Sequence, residues 1–288
     1  MNEPTPSRAA RLRALLRDHT VVLPGAFSAL TARAIERAGF EAGYLSGGAL
    51  ANSLLGVPDV GLTTLSEAAW HAARCAAVTT IPLISDADTG FGGPENAART
   101  VVEFERAGLA GLHLEDQEFP KRCGHLAGKR LVPESEFCEK LAAAVAARRD
   151  PDFLIIARTD ACGVTSYDDA VARAHAYRRA GADAIFPEAL TSREEFARFA
   201  RDVPGPLLAN MTEFGRTPYL TVDEFAALGY RMVIFPVTLQ RVAMRAVCDA
   251  LTELRQQGTQ QGLLDRMQTR QELYELLGYE ATVGGRPA

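Results

Sequence analysis

Short apolar runs alternate along the chain with longer Ala-rich segments that carry charged residues at helical spacing. Eight of these runs have the length and composition of buried strands. They are Val21–Leu23, Gly43–Leu45, Ile81–Ile84, Gly111–Leu114, Phe153–Ile156, Ala184–Phe186, Pro206–Ala209 and Met232–Phe235. Because eight strands alternate with helices, the pattern predicts an α/β protein built as a (β/α)8 barrel.

Four of the helical segments end in the same way, with a glycine directly after the last turn. The glycines are Gly39, Gly108, Gly181 and Gly229, and each has the position of a helix C-cap. A predicted strand follows each one, as expected for a βα repeat. An open doubly wound sheet is the competing architecture, but the first strand lacks the G-x-G-x-x-G of dinucleotide-binding sheets.

The chain continues beyond the eighth run with a pattern of two or three helices, interrupted near Gly258 and Gly262. This segment is longer than a single closing helix requires. We therefore expect one barrel domain over residues 1–288 with a helical extension over about residues 241–279. Part of this extension is expected to pack outside the barrel, against a neighbouring subunit.

Composition narrows the classes of function. The 288 residues carry a net charge of -5, which argues against a nucleic-acid partner because such proteins present a basic face. No apolar run approaches the ~20 residues that span a bilayer, so no membrane partner is expected. The N-terminus lacks the apolar region of a signal peptide, and the five cysteines are scattered and odd in number. These features favour the cytoplasm.

Polar residues follow most of the predicted strands, where a (β/α)8 barrel carries its chemistry. Asp86 and Asp88 follow the third strand two residues apart, so their side chains share one face. Two converging carboxylates suit Mg²⁺, with Mn²⁺ as the alternative. The competing interpretation is one helix-capping and one surface aspartate. His113 and Glu115 share a face of the fourth strand and could orient metal-bound water, or His113 could simply be a core residue.

The other strand ends suggest a pocket for a small anion. Ser46, Gly47 and Gly48 follow the second strand and could present backbone N–H groups to a carboxylate or phosphate, or form an ordinary turn. Tyr44 points to the same face as Ser46, and Asp59 lies in a nearby turn. Further polar candidates at strand ends or on the next helix are Arg158, Glu188, Asn210, Thr212 and Arg241. Together they predict a deep polar pocket for a multiply anionic ligand and a divalent metal.

The segment Lys121-Arg122-Cys123-Gly124-His125 follows the fourth strand and contains no apolar residue. Neighbouring cations favour the ionised form of a thiol, and glycine lets the backbone approach a ligand closely. The surrounding polar stretch from Gln117 to Lys129, with Gly124 and Gly128 as hinges, has the profile of an active-site lid. The alternative is a solvated basic turn that happens to contain a cysteine.

These motifs resemble the isocitrate lyase/phosphoenolpyruvate mutase superfamily over nearly the whole chain. The strongest matches are Asp86-Ala87-Asp88-Thr89-Gly90, Lys121-Arg122-Cys123-Gly124-His125 and Asn210-Met211-Thr212-Glu213, and the cysteine motif marks the lyase branch. Within this branch the chain is most similar to the 2-methylisocitrate lyases. The resemblance implies Mg²⁺-dependent retro-Claisen cleavage of a hydroxy-tricarboxylate, 2-methylisocitrate, into pyruvate and succinate. It also implies a homotetramer whose C-terminal helices swap between subunits.

The resemblance also implies roles for individual residues. Asp86 and Asp88 would bind the metal, with Asp59, His113 and Glu115 around it, and Cys123 would protonate the succinate carbanion beside His125. Tyr44 is the candidate base by its position. The substrate would be surrounded by Ser46, Gly47, Gly48, Gly124, Arg158, Glu188, Asn210, Thr212, Arg241 and Arg270.

Two departures from the family pattern, Ala49 and the segment Gln117–Pro120, leave the substrate open. The alternatives are 2,3-dimethylmalate cleavage, another hydroxy-acid cleavage, oxaloacetate decarboxylation, phosphonate C–P chemistry and a non-enzymatic dicarboxylate sensor. The cysteine of the motif argues against the phosphonate and decarboxylase alternatives.

Overall fold

The computed structural model describes residues 6–124 and 128–279 of the chain. Its strands are β1 (Val21–Pro24), β2 (Gly43–Leu45), β3 (Leu83–Asp86), β4 (Gly111–Glu115), β5 (Leu154–Thr159), β6 (Ala184–Pro187), β7 (Leu208–Asn210) and β8 (Met232–Phe235). The helices of the N-terminal half are α1 (Arg8–Asp18), α2 (Ala29–Arg37), α3 (Gly47–Leu50), α4 (Leu65–Ala77), α5 (Pro94–Arg106) and α6 (Glu134–Ala147). The remaining helices are α7 (Ala161–Val164), α8 (Tyr167–Arg179), α9 (Arg193–Asp202), α10 (Val222–Ala227), α11 (Thr238–Gln257) and α12 (Arg270–Leu277).

The eight strands form a closed parallel ring, which confirms the predicted barrel. Strands β2 to β6 pair in sequence order, while β8 pairs with both β1 and β7. Two single parallel bridges join these groups, Gly25 with Tyr44 and Ile185 with Leu207. Every residue of β3, β4, β5 and β6 is buried. Strands covered on both faces read as continuous apolar runs, which explains why the sequence shows runs rather than alternation.

The predicted helix ends are confirmed. Gly39, Gly108, Gly181 and Gly229 all have positive φ angles, between 85° and 103°. This left-handed conformation ends a helix and is easiest for glycine, which lacks a Cβ atom. Each short connection therefore turns the chain directly from a helix into the next strand, and the carboxyl ends of the strands come together at one end of the barrel.

The C-terminal helices lie largely outside the packed core. Helix α11 has 20 residues, of which only Gln240 is buried. It ends before Gly258, and a 3-10 turn at Gln261–Arg266 leads to α12. Helix α12 packs on α2, where Arg37 pairs with Glu275 at 3.3 Å. No helix in the described ranges is both long and apolar enough to cross a membrane.

Candidate active site

A cavity of about 130 Å³ opens at the carboxyl ends of the strands and collects most of the predicted site residues. Those that line it are Tyr44, Ser46, Gly48, Asp59, Asp86, Cys123, Gly124, Arg158, Glu188, Asn210, Thr212 and Arg241. Apolar walls come from Phe186, Ile234, Pro236 and Val237. Residues from seven strands or the segments after them therefore meet at one place, as expected for a barrel enzyme.

The acidic pair sits where β3 ends. Asp86 accepts hydrogen bonds from the backbone N–H groups of Asp88 at 2.9 Å and Gly47 at 3.2 Å. A Cβ atom at Gly47 would meet Asp86 Oδ2 at 2.8 Å and Asp88 Oδ1 at 3.3 Å. Both carboxylates thus converge on the start of α3. Ser46 begins this helix by accepting a hydrogen bond from Ala49, so the predicted turn is instead a capped helical N-terminus.

Lys121 is buried between the carboxylates and was not among the predicted site residues. Its Nζ contacts Asp59 Oδ1 and lies 2.8 Å from Asp88 Oδ1. Burial alone would lower the pKa of Lys121, but Asp88, Glu115 and their neighbours raise it well above its usual value. Lys121 therefore stays protonated and holds together the segment that carries Cys123 and the acidic pair.

The donor set fits a hard divalent cation. Burial raises the pKa of Asp88 to about 6, against the opposing charge of Lys121, and burial raises the pKa of Glu115 well above its usual value. Within the described part of the chain, six buried carboxylates lie at or beneath the site, against four buried cations. The carboxylates are Asp86, Asp88, Glu115, Asp116, Asp160 and Glu188, and the cations are Lys121, Lys129, Arg158 and Arg173.

Carboxylates therefore outnumber cations in this buried set, which favours a bound cation. Residues 6–124 and 128–279 contain no group of three or more His, Cys, Asp and Glu side chains able to hold a metal. The converging carboxylates of Asp86 and Asp88 suit Mg²⁺, which binds one or two carboxylates and completes its shell with water and substrate oxygens. Glu115 Oε1, buried without a hydrogen bond to any described residue, adds a polar acceptor nearby.

Tyr44 and His113 form a buried pair beside Asp86. The Tyr44 hydroxyl lies 2.8 Å from His113 Nε2, and His113 Nδ1 lies 3.7 Å from Asp86 Oδ1. Burial lowers the pKa of His113 to about 4, so the imidazole is neutral at physiological pH. Burial, then the charge of Asp86, raises the pKa of Tyr44 well above its usual value, which favours the protonated phenol.

Arg158 is the central cation on the other side of the cavity. Its guanidinium donates to both oxygens of Asp160, at 2.9 and 3.1 Å, and lies 3.3 Å from Glu115 and 3.6 Å from Glu188. It also stacks 5.1 Å from the centre of the Phe186 ring. Four neighbours therefore fix its orientation before any ligand binds, and a preorganised guanidinium suits recognition of a carboxylate.

The cysteine motif packs directly on this arginine. A Cβ atom at Gly124 would lie 2.3 Å from Arg158 Nη2 and 2.8 Å from Glu188 Cδ, so only glycine fits. Gln117 fastens the start of the segment, because its side chain exchanges two 2.9 Å hydrogen bonds with the backbone of Arg122. Cys123, half-buried between these anchors, lines the cavity.

Three more predicted residues complete the wall formed after β7 and β8. The side-chain amide of Asn210 donates to Glu188 Oε2 at 3.2 Å. Its side-chain oxygen, Oδ1, is buried without a hydrogen bond to any residue in the described ranges. Arg241 reaches across from α11 to Glu213 at 3.0 Å, while Thr212 lines the cavity between them. Both ends of this wall carry groups that can donate to carboxylate oxygens.

Among the predicted site residues, Arg270 does not line the cavity. Arg270 is exposed at the start of α12, away from the residues that line the cavity. His125 lies outside the described residues.

The model of the phosphoenolpyruvate phosphomutase family matches residues 12–255, which include every strand of the barrel. The chain belongs to this family. It is 56% identical over 274 residues to a probable 2-methylisocitrate lyase of Corynebacterium glutamicum, covering 95% of this chain and 90% of that one. It is 52% identical over 278 residues to a 2-methylisocitrate lyase of Aeropyrum pernix, covering 96% and 89%. The chain is a carbon–carbon lyase of the family, as its sequence motifs predicted.

Solved structures of the family have the same architecture. A crystal structure of 2,3-dimethylmalate lyase superposes with a TM-score of 0.92 at 39% identity, covering 98% of this chain and 95% of that one. A phosphonopyruvate hydrolase crystallised with oxalate and Mg²⁺ superposes with a TM-score of 0.88 at 33% identity, covering 97% and 98%.

Three buried residues that shape the site were not among the predicted site residues: Lys121, Lys129 and Asp160. Lys129 Nζ contacts Asp160 Oδ1 at 2.5 Å, and Lys121 contacts carboxylates far away in sequence. The signal available in the sequence was two lysines flanking the cysteine in a chain with acidic residues at several other strand ends. Only the fold shows which carboxylates they meet.

Proposed function

We propose that this lyase cleaves 2-methylisocitrate into pyruvate and succinate with the help of Mg²⁺. The observation that carries the proposal is a single cavity that Asp86, Cys123 and Arg158 all line. These are a metal-binding carboxylate, a proton donor and a carboxylate-binding cation, the three groups that the cleavage requires. The names of the similar proteins from C. glutamicum and A. pernix support this substrate.

Asp86 and Asp88 would hold the metal, with Mn²⁺ as a second choice. When bound, the ion would lower the pKa of the substrate hydroxyl and stabilise negative charge on its oxygen. Lys121 would balance the charge of Asp88 and Asp59, which it already contacts. Glu115 and His113 lie close enough to Asp86 or Arg158 to orient water in this half of the site.

The substrate carboxylates would bind to the preorganised donors of the cavity. Arg158 offers a guanidinium held by Asp160, and Glu188 fixes the side-chain amide of Asn210. Thr212 and Arg241 would bind the carboxylate at the other end. On the pyruvate side, the capped N-terminus of α3 would present the backbone N–H groups of Ser46 and Gly48, while that of Gly47 holds the carboxylate of Asp86.

The reaction moves two protons and breaks one C–C bond. A base removes the hydroxyl proton, the oxygen becomes a carbonyl, and the electrons of the broken bond go to the succinate fragment. Cys123 Sγ then gives its proton to that carbanion, so pyruvate and succinate leave with the atoms balanced. Tyr44 is our candidate base by its position, since it lines the cavity beside Asp86 and its hydroxyl lies 2.8 Å from His113 Nε2.

Cleavage of 2,3-dimethylmalate is the second candidate. It is favoured by the TM-score of 0.92 to a 2,3-dimethylmalate lyase structure. Both substrates would use the same metal, the same proton donor and the same wall around Phe186. They differ in the carboxylate groups that would have to be bound by Asn210, Thr212 and Arg241 on their side of the cavity.

The test is pyruvate release by the purified enzyme with Mg²⁺, measured for 2-methylisocitrate, 2,3-dimethylmalate and isocitrate and repeated with EDTA. We expect EDTA-sensitive release, fastest from 2-methylisocitrate. Cys123→Ser should lose nearly all cleavage, because general acid help contributes about 10²- to 10⁴-fold, while Cys248→Ser on exposed α11 serves as the control. Release from none of the three substrates would overturn the proposal.

We further propose a homotetramer in which the C-terminal helices pack on partner barrels. Helix α11 exposes a series of apolar side chains that its own barrel leaves uncovered: Val242, Met244, Val247, Leu251 and Leu254. Arg270 would then complete the substrate site of a partner. Mixing Cys123→Ser and Arg270→Ala subunits tests this, because mixed oligomers regain intact sites only if Arg270 acts across the interface. Failure of the mixture to exceed either variant would argue against it.

A further inference from the structure

Lys129 is a buried lysine that the reaction scheme above does not use. Its side chain is only 3% exposed, and its Nζ makes two contacts. One is the ion pair with Asp160 at 2.5 Å, and the other is a hydrogen bond donated to the backbone carbonyl of Gly124. A buried charge is costly unless it is paired and hydrogen-bonded, so this lysine is held firmly between a barrel strand and the cysteine segment.

Asp160 joins Lys129 to the substrate-binding arginine. Its Oδ1 accepts from both Lys129 and Arg158, its Oδ2 accepts from Arg158 Nε at 2.9 Å, and its backbone N–H donates to Asp116. Asp116 Oδ2 in turn accepts a 2.8 Å hydrogen bond from the hydroxyl of Thr159. The carboxylate of Asp160 therefore has a fixed position that is set by the barrel and not by the cysteine segment.

The hydrogen bond from Lys129 to Gly124 links the fixed carboxylate of Asp160 to the segment that carries the Cys123 thiol. Gly124 is the residue directly after Cys123, and its Cα lies against Arg158 and Glu188. Its carbonyl oxygen is fixed by Lys129 from the other side. The backbone beside Cys123 is therefore fixed relative to the guanidinium that is expected to bind the substrate, and a catalytic constellation needs its groups placed to within about 0.5 Å.

We propose that Lys129, paired with Asp160, is a positioning residue that places Cys123 for proton transfer by anchoring the Gly124 carbonyl. The inference rests on the proposed role of Cys123 in the lyase reaction. It predicts a defect in proton delivery rather than in substrate binding, since Arg158 keeps both of its bonds to Asp160 when Lys129 is replaced.

The first experiment measures steady-state pyruvate release in Lys129→Met and Lys129→Arg. We expect Lys129→Met to lower kcat by about 10- to 100-fold, the range expected for a misplaced catalytic group, with KM changed less than threefold. Lys129→Arg keeps the charge and the donors and should recover at least a third of the wild-type kcat. Lys140→Met is the matched control, because Lys140 is also buried but its nearest carboxylate, on Glu136, is 4.0 Å away and outside the site.

The second experiment does not depend on activity. The rate at which iodoacetamide labels Cys123 is followed by mass spectrometry of its peptide, with Cys248 on the exposed α11 as the internal reference. We expect Lys129→Met to change labelling of Cys123 by at least fivefold and to leave Cys248 unchanged, whereas Lys140→Met changes neither. Thermal melting of each variant identifies loss of fold.

Unchanged Cys123 labelling together with kcat within twofold of wild type in folded Lys129→Met would overturn the inference. So would equal losses in Lys129→Met and Lys140→Met, because both would then act only through stability. A wild-type enzyme that is inactive on every substrate would instead overturn the proposed function, while the labelling result would still decide whether Lys129 places the thiol.

Discussion

Replacement of Gly124 by alanine tests how closely the cysteine segment must approach Arg158. The added Cβ would lie 2.3 Å from Arg158 Nη2, and ordinary contacts between such atoms begin near ~3.5 Å. The shortfall is therefore about 1 Å. The backbone of Gly124 itself does not oppose alanine, since it is not among the residues with positive φ.

Neither neighbour can move aside at low cost. Arg158 is fixed by two hydrogen bonds to Asp160, and Glu188 is fully buried. The segment must retreat instead and carry Cys123 with it. A misplacement of about 1 Å can cost on the order of 10²-fold in rate, so we expect kcat/KM of Gly124→Ala to fall about 100-fold with little change in melting temperature.

The assay is steady-state pyruvate release with saturating Mg²⁺, accompanied by thermal unfolding. Gly93→Ala is the matched control, because the nearest atom to its added Cβ is Glu95 Oε2 at an ordinary 3.7 Å. We expect the control to retain wild-type activity. If Gly124→Ala stayed within threefold of wild type, the close packing of Gly124 on Arg158 would play no part in catalysis, and the reasoning would be refuted.

Three other changes have defined outcomes. Asp88→Asn should weaken Mg²⁺ binding at least tenfold by calorimetry, because it removes one of two carboxylates that converge on the site. Tyr177→Phe removes a 2.8 Å hydrogen bond to buried Asp116 and should lower the free energy of unfolding in urea by about 1–3 kcal/mol. Burial lowers the pKa of His71, so the unfolded chain binds more protons than the folded chain below about pH 6.5. The free energy of unfolding therefore decreases as the pH is lowered through this range. His71→Gln should flatten that slope in urea unfolding measured from about pH 5 to 6.5.

The strands and helix ends could be predicted because their signals are local. A continuous apolar run marks a strand that is buried on both faces, and a glycine after the last turn marks a helix end. The third strand lies two residues later in the structure than predicted, at Leu83–Asp86 instead of Ile81–Ile84. Its ladder with β4 includes Asp86, which lies opposite His113. The polar residue thus belongs to the strand itself.

The pairing of buried charges could not be predicted from the sequence. Lys121 meets Asp59, which is 62 residues away, and Lys129 meets Asp160, 31 residues away. From the sequence alone, both lysines look like part of a solvated basic loop. Their burial follows from the excess of carboxylates at the end of the barrel, which only the closed ring brings together. Arg270 is the converse case, since the sequence predicted it in the site and the structure places it exposed at the start of α12.

The two lysines explain how a polar segment without apolar residues can hold a thiol in place. Lys121 ties its start to Asp59 and Asp88 on the metal side of the cavity, and Lys129 ties the Gly124 carbonyl to Asp160 on the arginine side. Cys123 lies between these two attachments. Its position is therefore set by both halves of the site, so we expect the thiol to be aligned only when the acidic pair and the arginine cluster are both intact.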